Sequence, residues 1–124
     1  MPVITAPTSP THVLAHAQFT MLAAPSRGSK ELSVWCVELA PHAPGVSHQV
    51  TREEVFVVLE GEARVIVDES PRIAKQGDAI VIPRDTTFRI ESAGATAMRA
   101  LCCLPVGGQA RTDDGKVFTP PWAE

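Results

Sequence analysis

Three observations in the amino-acid sequence predict an all-β domain. Short runs rich in Val, Ile and aromatic residues recur at close spacing along the chain. Clusters of Pro, Gly, Asp and Ser, which favour turns, separate these runs. Apolar residues nowhere repeat at positions i, i+3, i+4 and i+7, as they would along an amphipathic helix. About eight short strands of this kind indicate a β-sandwich or a closed β-barrel.

The strands are expected in an order set by the turn-forming clusters between them. We predict them at 12–22, 32–39, 55–59, 63–67, 73–74, 79–82, 86–91 and 96–104. Turns are predicted at 25–29, 41–47, 60–62, 68–71, 77–78 and 92–94. The chain then divides into an N-terminal arm and edge strand at 1–24, a barrel core at 25–108 and an extended tail at 109–124. We expect this tail to pack on the barrel or on a partner subunit.

Composition narrows the class of protein. A chain of 124 residues with 44% hydrophobic and 20% charged residues suits one globular domain. The net charge is −3 and the basic residues stand singly, so we expect no nucleic-acid partner. No apolar run approaches the length of about 18 residues that a membrane helix needs. The start of the chain does not resemble a signal peptide, and Cys36, Cys102 and Cys103 make an odd count. These features favour a cytoplasmic protein.

The stretch from Pro44 to Gly61, PGVSHQVTREEVFVVLEG, resembles the first motif of the cupin family. That motif reads G, H-x-H, three or four residues, E-x6-G, and Gly45, His48, Glu54 and Gly61 match it. Cupins are small β-barrels of the jelly-roll type, also called double-stranded β-helices. The resemblance therefore implies a jelly-roll cupin barrel.

A second segment supports the resemblance and also departs from the family. The second motif reads G-x5-P-x-G-x2-H, and Gly77 and Pro83 match its opening. Its later glycine falls on Asp85 and its final histidine on Phe88, while the second histidine of the first motif falls on Val50. Two of these departures, at Val50 and Phe88, fall on histidine positions of the family.

In metal-binding cupins, three histidines and one glutamate hold a divalent metal ion. Only His48 and Glu54 remain of that set here, and structural or catalytic metal sites need three or four protein ligands. The sequence therefore predicts no cofactor. A divalent metal ion held by His48 and Glu54 remains an alternative if a further ligand comes from outside the motifs.

We expect His48 and Glu54 to face a common interior. There they could act as general acid and base on an enolisable or epimerisable ligand, or form a hydrogen-bonded polar pair without chemistry. The apolar residues of the same face are expected to line a cavity for a small ring or acyl ligand, the alternative being plain core packing. These residues are Val50, Phe56, Val58, Phe88 and Ile90.

Three functions follow from this site. The first is a small-molecule-binding cupin that isomerises, cyclises or epimerises its ligand through His48 and Glu54. The second is a metal-dependent cupin oxygenase or isomerase with an atypical ligand set. The third is a non-catalytic ligand-binding or sensor module, so the sequence leaves open whether the protein is an enzyme. The resemblance also implies a homodimer, since cupins commonly dimerise and β-rich edges favour association.

Overall fold

The computed structural model describes residues 3–124, so residues 1 and 2 of the expected N-terminal arm lie outside the described part. The described chain forms strands β1 His12–Val13, β2 Ala17–Ala23, β3 Leu32–Leu39, β4 His48–Val50, β5 Glu54–Glu60, β6 Ala63–Val67, β7 Ser70–Ala74, β8 Ala79–Ile82, β9 Phe88–Ser92, β10 Met98–Pro105, β11 Ala110–Thr112 and β12 Val117–Phe118. Two single 3₁₀ turns, Pro25–Arg27 and Pro121–Ala123, are its helical parts. Among these residues no helix has the length and apolar character needed to cross a membrane.

The strands form two six-stranded sheets that enclose a core between them. The first has the order β1-β2-β3-β10-β5-β8 and the second the order β12-β11-β4-β9-β6-β7, with antiparallel pairing throughout. The prediction of an all-β jelly roll is confirmed. Side chains alternate between the two faces of each strand, so β5 directs Glu54, Phe56 and Val58 inward. Each fully buried apolar side chain stabilises the fold by about 1.5–3 kcal/mol.

Both ends of the chain contribute strands to the sheets. β2 pairs along its length with β3, and β11 pairs with β4, so these strands lie beside the barrel core predicted from sequence. The single strand predicted at 12–22 is interrupted. A turn in which the Leu14 N–H donates to the Ala17 carbonyl at 2.8 Å separates β1 from β2.

The turn after β6 is shorter than the predicted turn at 68–71. Val67 and Ser70 are partners across the hairpin, which leaves Asp68 and Glu69 as a two-residue loop. Both loop residues have positive φ, 48° and 68°, as the mirror-image turns of tight hairpins require. Pro71 therefore lies inside β7, where it is tolerated because β7 is an edge strand.

Asp85 shows why the family prefers glycine at its position. Its φ is +58°, in the left-handed region that glycine adopts without strain and that aspartate tolerates better than most residues. Its carboxylate accepts hydrogen bonds from Arg84 Nε and from an Arg111 guanidinium nitrogen, each at 3.2 Å. These two hydrogen bonds hold the pKa of the exposed Asp85 carboxyl below its usual value.

Gly61 closes the first motif, and we predict that Gly61→Ala destabilises the protein more than Gly77→Ala. Both glycines have positive φ, 74° and 90°, so alanine brings a similar left-handed strain of about 1–2 kcal/mol to each. A Cβ at Gly61 would lie 2.7 Å from the Ala97 carbonyl oxygen, whereas one at Gly77 would meet no atom within 4 Å. In urea unfolding, Gly61→Ala should lose about 1–3 kcal/mol more of the free energy of unfolding than Gly77→Ala, because of this close contact. Equal losses would contradict the close approach at Gly61.

Candidate functional site

A cavity of about 410 Å³ lies between the two sheets and is lined chiefly by apolar side chains. Of the residues predicted from sequence, the structure brings six to this cavity: His48, Val50, Glu54, Phe56, Phe88 and Ile90. Val58 is not part of the lining. It is buried in the core with 1% of its surface exposed, so its predicted contact with a ligand is corrected to core packing.

His48 lies on β4, directly opposite Phe88 of β9, and the ring centroids are 4.4 Å apart. Its Nδ1 atom is 2.8 Å from the Val46 carbonyl oxygen. A carbonyl only accepts, so Nδ1 carries the hydrogen and donates it. In the neutral ring, Nε2 is then left with a lone pair. His48 can therefore accept a proton or a hydrogen bond from a ligand.

Glu54 begins β5 and is buried, with 4% of its surface exposed. It lies opposite Ile82 of β8 and two residues before Phe56, so its surroundings are apolar. No hydrogen bond or ion pair within residues 3–124 holds its carboxyl group. Burial raises the pKa of Glu54 from 4.5 to about 8. The carboxyl group is therefore mostly protonated at neutral pH and can donate a hydrogen bond.

The hydrogen bond between His48 and Glu54 that the sequence suggested is not formed in the described part of the chain. The Val46 carbonyl, two residues before His48, takes the Nδ1 hydrogen instead. Each of the two groups is thus free to contact a ligand separately. The arrangement supplies one proton donor and one proton acceptor on the wall of the same cavity.

A divalent metal ion does not fit the donors that the structure brings together. Within residues 3–124, no three His, Cys, Asp or Glu side chains are grouped so that they could hold a metal ion. His48 and Glu54 could offer one donor each. Val50 and Phe88, at the positions of the family histidines, have no lone pair and make the wall apolar. The ligand set of metal-binding cupins is therefore incomplete in this chain.

Four aromatic lining residues lie outside the two motifs, and sequence reasoning did not assign them to the site. They are Phe19, Trp35, Phe118 and Trp122. The Trp122 ring stacks on Phe19, with centroids 3.6 Å apart and planes 5° from parallel. The period-2 alternation of β2 and β3 could have placed Phe19 and Trp35 on inward faces. No local pattern places Trp122, because its position depends on where the last 3₁₀ turn packs.

The loop at 41–47 forms part of the cavity wall and is fixed to β9. The Gly45 N–H donates to Glu91 Oε2 at 2.9 Å, and this bond is the main reason why the pKa of Glu91 is low. Glu91 also meets an Arg64 guanidinium nitrogen at 3.4 Å. A Cβ at Gly45 would lie 2.6 Å from the Ile90 carbonyl oxygen. Glycine is therefore required where the loop crosses β9.

Comparison with known proteins identifies the family. The sequence profile of the cupin domain matches residues 35–104, which is more than half of the chain. An uncharacterized protein of Methanocaldococcus jannaschii is 38% identical over 53 residues, which are 43% of this chain and 42% of that protein. The chain thus aligns with less than half of that relative's length.

Solved structures show the same fold at low identity. KdgF from Halomonas sp. has a TM-score of 0.67 and 23% identity, covering 86% of this chain and 89% of its own. Bacillus subtilis oxalate decarboxylase, a protein with Mn(II) centres, has a TM-score of 0.67 and 20% identity over 80% of this chain and 28% of its own. These likenesses concern the fold, and the profile match concerns the family. The chain belongs to the cupin family.

Proposed function

We propose that this chain is a small-molecule-binding cupin whose ligand occupies the cavity between the sheets, against His48 and Glu54. One observation carries the proposal. The carboxyl group of the buried residue Glu54 has no hydrogen-bond partner in the described chain and opens into a 410 Å³ cavity, since Ser29 Oγ is the one fully enclosed side-chain atom without a partner among the described residues. Buried polar groups nearly always have a partner, and ligand pockets are typically apolar cavities of this size with few polar groups. A ligand atom would supply the missing partner of Glu54.

The same two groups suit proton-transfer chemistry. A protonated Glu54 can give a proton to a ligand oxygen, and neutral His48 can accept one at Nε2. We therefore propose an isomerase, cyclase or epimerase activity on an enolisable small molecule. A non-catalytic binding or sensor module uses the same cavity and the same contacts. Turnover of a bound ligand, followed by NMR, separates these two functions.

We expect a thermal-shift screen of small acids, sugars, ring ketones and amines to give a ligand whose binding depends on this pair. At a hundred times its dissociation constant, a ligand stabilises the native state by about 2.7 kcal/mol. We expect this stabilisation to fall sharply in His48→Ala and in Glu54→Gln. Glu53→Gln is the matched control, because Glu53 is the preceding residue and is exposed.

A ligand that binds the His48→Ala, Glu54→Gln double variant as well as the wild type would refute the assignment of the site. Metal analysis of protein purified without a polyhistidine tag tests the metal-dependent alternative. Stoichiometric metal that is lost on His48→Ala would favour an oxygenase or isomerase that completes its coordination with solvent or substrate atoms.

We also propose that the protein is a homodimer formed through the outer face of its first sheet. The outward side chains of β3, β5 and β10 include Val34, Val55, Val57 and Leu101, which are apolar and half-buried. Large apolar patches on a surface commonly mark interfaces. We expect a dimer by light scattering at micromolar concentration and a monomer for Leu101→Lys. A wild-type monomer over the whole concentration range would contradict this proposal.

The cysteines support the proposal of a cytoplasmic protein. Cys36, Cys102 and Cys103 are all free thiols. Burial raises the pKa of the Cys102 thiol well above its usual value, which keeps it in the unreactive thiol form. Free thiols are typical of a reducing compartment. Thiol titration of protein from native cells would test this, because paired cysteines would contradict it.

A further inference from the structure

The lining of the cavity holds carboxyl groups but no permanently charged basic side chain among the described residues. Two carboxyl groups, those of Glu54 and Glu91, and two imidazoles, those of His16 and His48, are its titratable lining groups. Of the described residues, no lysine or arginine lines the cavity. An anionic ligand would meet carboxyl groups and find no fixed positive partner, and a buried charge without a partner is strongly disfavoured.

Aromatic rings make up much of the remaining wall. Two sets of these rings contact each other: Trp122 stacks on Phe19, and Phe88 packs between His48 and Phe56. The Phe56 and Phe88 centroids are 6.2 Å apart, in an edge-on arrangement. Aromatic faces carry negative charge density and attract organic cations, especially where water is excluded. A carboxyl group and aromatic rings therefore line one cavity without a basic side chain.

We propose that the cavity takes a small organic cation, an amine or a quaternary ammonium compound, whose charge lies against Glu54 and whose apolar substituents contact the aromatic wall. This inference rests on the proposed function and names the ligand class of the same site; beside a bound cation, the ionised Glu54 accepts a proton instead of donating one. A neutral ligand would use hydrogen bonds to Glu54 and His48 but would gain nothing from the charge of an ionised Glu54. A cation uses the carboxylate charge of Glu54 and the aromatic faces, whereas Glu91 already accepts hydrogen bonds from Gly45 and Arg64.

Binding of a cation should expel a proton from Glu54. Burial raises the pKa of this group to about 8, so the empty site is mostly protonated at pH 7. The titratable groups whose pKa values respond to the charge of Glu54 are Cys102 and Cys103 on β10, and His48 on β4 lines the same cavity, while β8 presents Ile82 opposite Glu54. A cation favours the ionised carboxylate. Its affinity should therefore rise by up to about tenfold per pH unit below pH 8 and level off above it.

The experiment uses calorimetric titration of the full chain with five probes at pH 6, 7, 8 and 9. Three probes are cations: tetramethylammonium, choline and benzyltrimethylammonium. The other two, 3,3-dimethylbutan-1-ol and 3,3-dimethylbutanoate, resemble choline in shape but are neutral and anionic. We expect at least one cation to bind with a Kd of about 1 mM or lower and at least about tenfold more tightly than the neutral and anionic probes. Buffers of different ionisation enthalpy should reveal the release of a proton.

Variants of Glu54, with Glu53→Gln as their control, complete the test. Glu54→Gln should lose at least about tenfold in affinity for the cation, Glu54→Asp should keep part of the preference because it keeps the charge, and Glu53→Gln should bind normally. Equal binding of the neutral probe, or binding of a cation at pH 6 and 7 without proton release, overturns the cation inference. So does the absence of binding by all five probes.

These failures can be distinguished from a failure of the proposed function. A neutral probe that binds the wild type but not Glu54→Gln leaves the proposed site intact and removes only the cationic class. A cation that binds Glu54→Gln and Glu54→Asp as well as the wild type overturns both the ligand class and the placement of the ligand against Glu54.

Discussion

Glu54→Gln is expected to stabilise the protein relative to wild type by an amount that grows as the pH rises from about 5 to about 8. The native pKa of Glu54 is about 8 and its ordinary value is 4.5. Between these values the native state binds a proton that the unfolded chain has lost, so the stability of the wild type falls with rising pH. Glutamine cannot ionise and contributes no such slope. The difference should approach about 5 kcal/mol at pH 8 and stay constant above it.

Other titrating groups do not obscure this difference. The pKa values of Glu91, Asp85 and Asp114 are lowered, so their stabilisation is lost as the pH falls. These three groups make the stability rise with pH, which is opposite to the effect of Glu54. Their contribution is the same in wild type and variant, so it cancels in the comparison. Urea unfolding of wild type, Glu54→Gln and Glu53→Gln at five pH values measures the effect. A difference between Glu54→Gln and wild type that does not change with pH would show that Glu54 is not buried in an apolar site.

The sequence predicted the parts of the site that local spacing determines. His48 and Val50 share a face because side chains alternate along a strand, and Glu54 and Phe56 share a face of β5 for the same reason. The turn predicted at 60–62 is present at Gly61, but it carries the chain from β5 in the first sheet to β6 in the second, and these two strands do not pair. Strand alternation and turn chemistry therefore predicted most of the first motif's contribution to the cavity.

The remaining features depend on non-local packing. The Nδ1 atom of His48 bonds the Val46 carbonyl because of the path that the 41–47 loop takes, and no spacing rule gives that path. Val58 shares the inward face of β5 with Phe56, yet it lies too deep in the core to line the cavity. Trp122 reaches the wall because the last 3₁₀ turn packs on β2 and β3. Such contacts between distant segments leave no periodic signal in a single sequence.

Val50→His combined with Phe88→His is expected to create a divalent metal site. Phe88 is the strand partner of His48, and directly opposed side chains have Cβ atoms about 4.5–5.5 Å apart. Position 50 lies on the same face, two residues after His48. Both substitutions would add imidazole donors to a wall that already holds His48 and Glu54. Three imidazoles and one carboxylate are a ligand set suited to Zn²⁺, Ni²⁺ or Co²⁺.

The variant should be less stable than wild type without metal and regain stability with it. Val50 and Phe88 are each 2% exposed, so polar replacements cost several kcal/mol of core packing. Metal at a thousand times its dissociation constant should restore about 4 kcal/mol. Thermal unfolding with and without Ni²⁺ measures this shift, and adding His48→Ala to the variant should abolish it.

If the double variant does not fold without metal, the single variant Phe88→His, which keeps Val50, replaces it in the experiment. This single variant should bind the metal ion more weakly than the double variant, because it offers three donors: His48, Glu54 and the new imidazole at position 88. Phe88→Leu is its control because leucine has no lone pair. A folded variant that binds metal no more tightly than wild type would show that positions 48, 54 and 88 do not converge. Gain of metal binding would instead show that the apolar residues at 50 and 88 are what separates this cavity from a cupin metal centre.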